Sequence, residues 1–121
     1  MPRNIINIGW VDNKKLDSYY ELFDGVIIPS RWEGFGLVAV EAMKNKKPII
    51  VSDRGALPNL AGNDNGYVFS LDNLDTLRII LDNLNKKELE IKGLNGYNYF
   101  IQNFTSEMMN KKIIKLYKQI L

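Results

Sequence analysis

Two carboxylates, Glu33 and Glu41, lie eight positions apart in the most informative stretch of this chain, PSRWEGFGLVAVEA at residues 29–42. The apolar residues 25–29 predict a strand that leads into a glycine-bearing loop and then into a helix. Glycines let a backbone approach a ligand closely, and the first free N–H groups of a helix bind anions. Because carboxylates accept hydrogen bonds from hydroxyl groups, the stretch predicts a site for a phosphate flanked by sugar hydroxyls.

The elements that must position these residues alternate along the chain. Short apolar runs predict strands, and apolar residues at helical spacing predict helices between them. The predicted strands are residues 4–8, 25–29, 48–52 and 67–69. The predicted helices are residues 13–23, one from 35 or 36 to about 45, and a short one within 53–61. A helix capped by Asp72 or Asp75 follows to about residue 84, then 86–103 with an interruption at Gly93 and Gly96, and 105–121. The helix at 72–84 is predicted to bury Leu74, Leu77, Ile80, Leu81 and Leu84.

This alternation predicts an α/β fold in which the strands form a parallel, doubly wound sheet. We expect a Rossmann-like, three-layer α/β/α arrangement with a small sheet of about four strands. Residues 1–121 are interpreted as a single domain, with residues 72–121 as its helical C-terminal part.

Composition narrows the chemistry. The chain has 121 residues, 45% hydrophobic and 25% charged, which is ordinary for a globular protein. A net charge of +2 demands no nucleic-acid partner. With no cysteine and no histidine, a disulfide framework, a thiol nucleophile and the usual general base are all excluded. No apolar run is long enough to cross a membrane, and we expect a cytoplasmic protein with at most peripheral contact at the inner membrane face.

The stretch around the two glutamates resembles the Glu-x7-Glu motif of retaining glycosyltransferases with the GT-B fold, the group 1 or family 4 type. Three flanking pieces, residues 6–11, 48–58 and 65–69, resemble the same pattern in the same order. The similarity runs from about residue 4 to the C-terminus. It identifies the chain as the C-terminal, nucleotide-sugar-binding domain of such an enzyme, truncated at its N-terminus.

The resemblance assigns roles to individual residues. It places Glu33 beside the donor sugar as the catalytic residue and Glu41 on the ribose hydroxyls. The backbone around the helix start would cradle the diphosphate, and further donor contacts follow the strand ends. These donor-binding residues are Gly34, Phe35, Gly36, Leu37, Val38, Ser30, Arg31, Gly9 and Trp10.

Structural alternatives stand beside these roles. Glu41 could be a surface residue paired with Lys44 or Lys46. Arg31 could be an exposed loop side chain, and Trp10 could belong to a core or an interface instead of stacking on a nucleobase.

The implied function is transfer of a sugar from a UDP- or GDP-type nucleotide-diphosphate sugar to a saccharide or lipid acceptor, with retention. Bacterial polysaccharide or lipopolysaccharide synthesis is the implied setting. No Asp-x-Asp occurs, and we expect neither a metal nor a cofactor. The alternatives are a non-catalytic binding fragment that needs a separate N-terminal domain, or a GT-B-fold UDP-sugar epimerase.

Partners follow from what the resemblance places ahead of residue 1. In such enzymes two further strand–helix units and an acceptor-binding domain precede this segment. We therefore expect the isolated chain to be inactive and to need that N-terminal acceptor domain. The strand at 25–29 would have an unpaired edge, and exposed edges recruit strands from other chains. We accordingly expect a homo-oligomer.

Overall fold

The computed structural model describes residues 5–7, 9, 13–31, 37–62 and 64–103. Within them, three short strands alternate with helices, and two further helices follow the last strand. In chain order the elements are α1 (Asn13–Leu22), β1 (Val26–Ile28), α2 (Leu37–Lys44), β2 (Ile49–Ser52), α3 (Leu57–Ala61), β3 (Gly66–Phe69), α4 (Asp75–Asp82) and α5 (Lys86–Asn103).

The strands form one parallel sheet in the order β1-β2-β3. Val26 pairs with Ile49 at the start of β1, and Ile49 pairs in turn with Gly66 at the start of β3. All four residues of β2 are buried. A continuous apolar run of this kind is typical of a central parallel strand, and it accounts for the correct prediction of an α/β, Rossmann-like fold.

The expected fourth strand at residues 4–8 is not found. Residues 5–7 lie in no strand, and Ile6 is 82% exposed. Asn4 and Ile8 lie outside the described residues. An apolar segment becomes a strand only when its backbone forms hydrogen bonds with a neighbouring strand. Residues 5–7 have no such pairing. Among the described residues the sheet therefore has three strands, where the sequence predicts about four.

The core lies between the sheet and α2. Ala39, Val40, Ala42 and Met43 are fully or almost fully buried, and Val40 belongs to the same apolar cluster as Val51 of the central strand. α1 adds Tyr20, whose ring meets Phe23 edge to face at 5.7 Å between centroids. Asn45, just after α2, donates a hydrogen bond to Asp17 and so holds α1 beside the end of that helix.

The predicted interruption of the helix at residues 86–103 is wrong, because α5 runs unbroken through both glycines. Gly93 and Gly96 are buried where α5 packs on the rest of the fold. A Cβ atom at Gly93 would overlap the carbonyl oxygen of Lys46. Lys46 itself has a left-handed backbone, with φ of 62°. The glycines are therefore sites of close packing within a helix and do not end it.

The predicted buried face of the helix at 72–84 is wrong in part. No residue of α4 is fully buried, and Leu74 and Leu81 are exposed, whereas Leu77, Ile80 and Leu84 are partly buried. Because α4 packs on β3, which is an edge strand, only one flank of the helix is covered. The predicted helix at 105–121 lies outside the described residues. Among those described, no helix is long and apolar enough to cross a membrane.

Tyr67 links β3 to the first turn of α5, and this link predicts a pH effect. Its hydroxyl donates a hydrogen bond of 2.8 Å to Glu88. Burial, together with this hydrogen bond and the Glu88 charge, raises the pKa of Tyr67 to about 12. A raised folded-state pKa gives stability that is complete below the unfolded value, about 10, and is lost as the pH rises towards 12. Tyr67→Phe should lower the free energy of unfolding by about 1 kcal/mol below pH 10, and this difference should shrink above it.

Urea unfolding of the unaltered chain and of Tyr67→Phe, from pH 7 to above pH 10, measures this difference in the free energy of unfolding. Tyr97→Phe is the matched control, because it removes the same hydroxyl from a ring that lies under the Lys46 ammonium group. An identical pH response of the two variants would contradict the assignment to the Tyr67–Glu88 bond.

Candidate functional site

The carboxyl ends of all three strands meet at one edge of the sheet, because the strands are parallel. Each end carries a serine: Ser30 follows β1, Ser52 ends β2 and Ser70 follows β3. The buried Ser52 hydroxyl donates a 2.5 Å hydrogen bond to the Ser30 carbonyl oxygen. This bond fixes the point at which the chain leaves β1 towards the glutamate motif. In open α/β sheets, ligands bind at this edge.

A charged network beside this edge was missed by the sequence reasoning. Arg54 donates a 2.9 Å hydrogen bond to Asp72 and lies 3.7 Å from Asp53. The carboxylate of Asp53 also accepts a hydrogen bond from the Leu71 N–H. The loops after β2 and β3 are thus tied together. The available signal was the position of Asp53 and Arg54 directly after a buried strand.

α2 begins at the same edge, because it connects two parallel strands and must run back across the sheet. Leu37 and Val38 form its first turn, and the Val38 side chain is 47% exposed. The first N–H groups of a helix have no partner within the helix and carry partial positive charge. These two backbone positions of the predicted cradle therefore lie where an anion would be stabilised.

Glu41 lies one turn further along α2 and is half-buried. Its carboxylate lies close enough to Tyr20 of α1 to raise the pKa of the tyrosine hydroxyl. Burial raises the pKa of Tyr20, and the Glu41 and Asp17 carboxylates raise it further. Among the described ion pairs, none joins Glu41 to Lys44 or Lys46. The alternative of a lysine-paired surface residue is therefore not supported.

Of the other predicted site residues, Gly9 and Arg31 are described by the structure and the rest are not. Gly9 has a left-handed backbone, with φ of 65°, and its N–H donates a hydrogen bond to the Asn7 side chain. Arg31 is exposed directly after Ser30. Trp10, Glu33, Gly34, Phe35 and Gly36 lie outside the described residues. Ser30, Leu37 and Val38 thus share the carboxyl edge of the sheet, and Glu41 lies farther along α2.

Metal-binding side chains do not converge in the part of the chain that the structure describes. No three acidic, histidine or cysteine side chains come together there in a way that could hold a metal ion. The described edge instead offers serine hydroxyl groups, helix N–H groups and the Arg54 guanidinium, and the half-buried Glu41 carboxylate lies one turn along α2 from it. This set suits a ligand that combines an anion with hydroxyl groups.

Removing the Ser52 hydroxyl should loosen this edge. Ser52→Ala leaves the Ser30 carbonyl without its donor, and we expect the free energy of unfolding to fall by about 1–2 kcal/mol. Urea unfolding measures this loss. Ser70→Ala is the matched control, since its hydroxyl accepts from the exposed Asp72 N–H. Equal losses of unfolding free energy in the two variants would show that the Ser52–Ser30 hydrogen bond stabilises the fold no more than an exposed hydrogen bond does.

Comparison with known proteins gives this edge a context. The family described as glycosyl transferases group 1 matches residues 1–90. The lipopolysaccharide core biosynthesis mannosyltransferase of Rhizobium meliloti is 26% identical over 117 residues, covering 91% of this chain and 33% of that protein. The MMP alpha-(1->4)-mannosyltransferase of Mycolicibacterium hassiacum is 33% identical over 96 residues, covering 76% of this chain and 23% of that protein.

Solved structures agree in fold. Sucrose-phosphate synthase from Thermosynechococcus elongatus superposes with a TM-score of 0.75 at 28% identity, covering 93% of this chain and 29% of that one. The C-terminal domain of a glycosyl transferase group 1 family protein from Francisella tularensis gives 0.65 at 31% identity, covering 81% and 52% respectively. The chain thus spans 33% or less of the two mannosyltransferases it matches.

Proposed function

Because the chain belongs to the glycosyl transferases group 1 family, we propose that it binds the nucleotide-diphosphate sugar of a retaining glycosyltransferase. The donor is a UDP- or GDP-type sugar. The whole enzyme transfers its sugar to a saccharide or lipid acceptor in polysaccharide or lipopolysaccharide synthesis. The mannosyltransferase of lipopolysaccharide core biosynthesis among its relatives supports that setting.

One observation carries the proposal. Glu41 is a half-buried carboxylate that pairs with no lysine among the described residues, and it lies one turn behind the start of a helix at the carboxyl ends of the parallel strands. Burial of a carboxylate is unfavourable unless hydrogen-bond donors satisfy it. Ribose hydroxyls supply such donors, while the helix N-terminus ahead of Glu41 holds the diphosphate.

The proposed transfer needs no group beyond donor, acceptor and protein. The acceptor hydroxyl oxygen bonds to the anomeric carbon as the bond from that carbon to the diphosphate oxygen breaks, on the same face of the sugar. The departing diphosphate takes the proton of the acceptor hydroxyl. Helix N–H groups stabilise the growing negative charge on the diphosphate, and Glu33 lies beside the sugar as positive charge develops there. This route is metal-independent.

The partners and the location of the chain are inferred from the same family membership. An N-terminal acceptor domain completes the enzyme, and the isolated chain binds donor without turnover. The protein acts in the cytoplasm, at most peripherally at the inner membrane face. The homo-oligomer stays a prediction, and light scattering tests it. In the described sheet β1 is an edge strand, because it pairs with β2 and with no other strand. A second copy of the chain would add its strand along β1.

Calorimetric and NMR titration of the purified chain with UDP, GDP, UDP-glucose and GDP-mannose tests the proposal. We expect at least one diphosphate ligand to bind with millimolar or tighter affinity. Amide shifts should concentrate at Ser30 and along α2. Uridine and guanosine are the matched controls and should bind much more weakly, because they lack the diphosphate. Absence of binding to every nucleotide, or shifts confined to α4 and α5, would refute donor binding by this chain.

A further inference from the structure

A polar cleft opens at the opposite edge of the sheet from the proposed donor site. We call it the amide cleft; it has a volume of about 340 Å³ and is lined by Asp64, Asn95, Asn98, Tyr99 and Gln102. Asp64 lies in the turn that precedes β3, whereas Ser70 of the donor edge follows that strand. β3 alone separates the two edges by roughly 10 Å. The amide cleft is therefore distinct from the donor site.

The composition of α5 changes sharply at this cleft. The first half of the helix carries five charged residues, Lys86, Lys87, Glu88, Glu90 and Lys92, whereas residues 93–103 carry none. The solvated face of a helix usually carries charged side chains. Asn95, Asn98, Tyr99 and Gln102 instead form a stripe at helical spacing that is polar but uncharged.

Two walls of the amide cleft are fixed before any ligand arrives. The Asn95 side chain donates a 3.0 Å hydrogen bond to the Asp64 carbonyl oxygen and so holds the turn before β3. Asp64 has a left-handed backbone, with φ of 57°. Tyr99 is half-buried and packs against the hydrophobic core, which limits the movement of its ring. Fixed polar groups lose less entropy on binding than mobile ones.

The lining selects the class of ligand. The described residues that line it include no lysine or arginine, so phosphate, nucleotides and acidic peptides are disfavoured. Asp64 is the one carboxylate among them, which is too few for a metal ion. These five residues also offer no aliphatic side chain to hold a lipid. Three carboxamides provide donors and acceptors together, as vicinal hydroxyls require, and Tyr99 adds an aromatic ring and a hydroxyl. The volume lies at the small end for ligand pockets.

We propose that the amide cleft is a second saccharide-binding site, which takes one or two neutral sugar rings away from the donor edge. The proposal does not depend on nucleotide binding by the chain. In a protein that elongates a glycan, such a site would hold a distant part of the polymer. Affinity should be weak, in the millimolar range, because few contacts are available in an open cleft.

The test is an NMR titration of the labelled chain with methyl α-mannopyranoside, methyl α-galactopyranoside and maltose. We expect at least one of them to shift the side-chain amide signals of Asn95, Asn98 and Gln102. These signals report binding in the unaltered protein, so the result does not depend on any variant folding. No shift at these three amides with any of the sugars would overturn the proposal.

Paired variants locate the binding. Asn98→Ala combined with Gln102→Ala removes two exposed carboxamides and should weaken the affinity about tenfold or more. Lys87→Ala combined with Glu90→Ala changes two exposed residues of the same helix outside the amide cleft and should leave the affinity unchanged. Equal affinities in both double variants would overturn the proposal. A loss of sugar binding in Glu41→Ala would also overturn it, by assigning the sugar to the donor edge.

Discussion

Replacing Gly93 with alanine is expected to lower the free energy of unfolding by about 3 kcal/mol. At an ordinary helix-interior position the same change would raise it by about 0.5–1 kcal/mol. The sign reverses because the new methyl group would overlap the Lys46 carbonyl oxygen, a backbone atom. Lys46 cannot move easily, because its N–H donates a hydrogen bond to the Met43 carbonyl oxygen. The N–H of Lys47, the next residue, donates to the Ala42 carbonyl oxygen. Urea unfolding followed by circular dichroism measures the loss.

Gly25→Ala is the control for this effect. A Cβ at Gly25 would lie 3.5 Å from the Pro48 side chain, which is ordinary van der Waals contact. We expect a change of about 0.5 kcal/mol or less in the free energy of unfolding. If Gly93→Ala were as stable as the unaltered chain, α5 could not pack as closely on Lys46 as the structure shows.

Replacing Glu41 with alanine is expected to weaken the binding of the preferred nucleotide or nucleotide sugar by about 10- to 100-fold. The reason is that the variant leaves two ligand hydroxyls without a charged acceptor in a half-buried site. The fold should persist, because Glu41 makes no ion pair with its lysine neighbours and alanine suits a helix. Titration calorimetry with the ligand found in the first screen measures the change.

Two controls separate a binding role for Glu41 from a structural one. Glu90→Ala removes an exposed glutamate from another helix and should bind as the unaltered chain does. The pKa of Tyr20 should fall towards its ordinary value in Glu41→Ala, because one nearby negative charge is gone. A variant with the expected Tyr20 response but unchanged nucleotide affinity would rule out the ribose role of Glu41.

Much of the fold could be predicted because its signals are local. The apolar run of β2 and the helix at Lys86–Asn103 are both found where the sequence places them. Gly93 misled because a glycine in a helix signals either an end or a close contact, and only the position of Lys46 decides between them. α4 misled because its apolar stripe shows which side would face a core, but not that an edge strand covers it incompletely.

The candidate site could be predicted only in part, for a related reason. Glu41 and the helix start belong to one continuous stretch, so their relation is visible in the sequence. The bond between Ser52 and Ser30 joins residues from two strands and depends on their pairing. The network of Asp53, Arg54 and Asp72 joins two loops in the same way. Such contacts become visible only when the strand order is known.

The two edges of the sheet should differ in how freely they can evolve. At the amino edge, Gly66 and Gly93 bring backbones together so closely that even a methyl group overlaps a carbonyl oxygen. At the carboxyl edge, the loops are joined through side chains such as Arg54 and Asp72, which can be exchanged one at a time. A scan of all substitutions for stability should therefore show intolerance at these two glycines and tolerance at the loop positions Arg54 and Asp72 beside the proposed donor site. Specificity for a new ligand could then arise without loss of the fold.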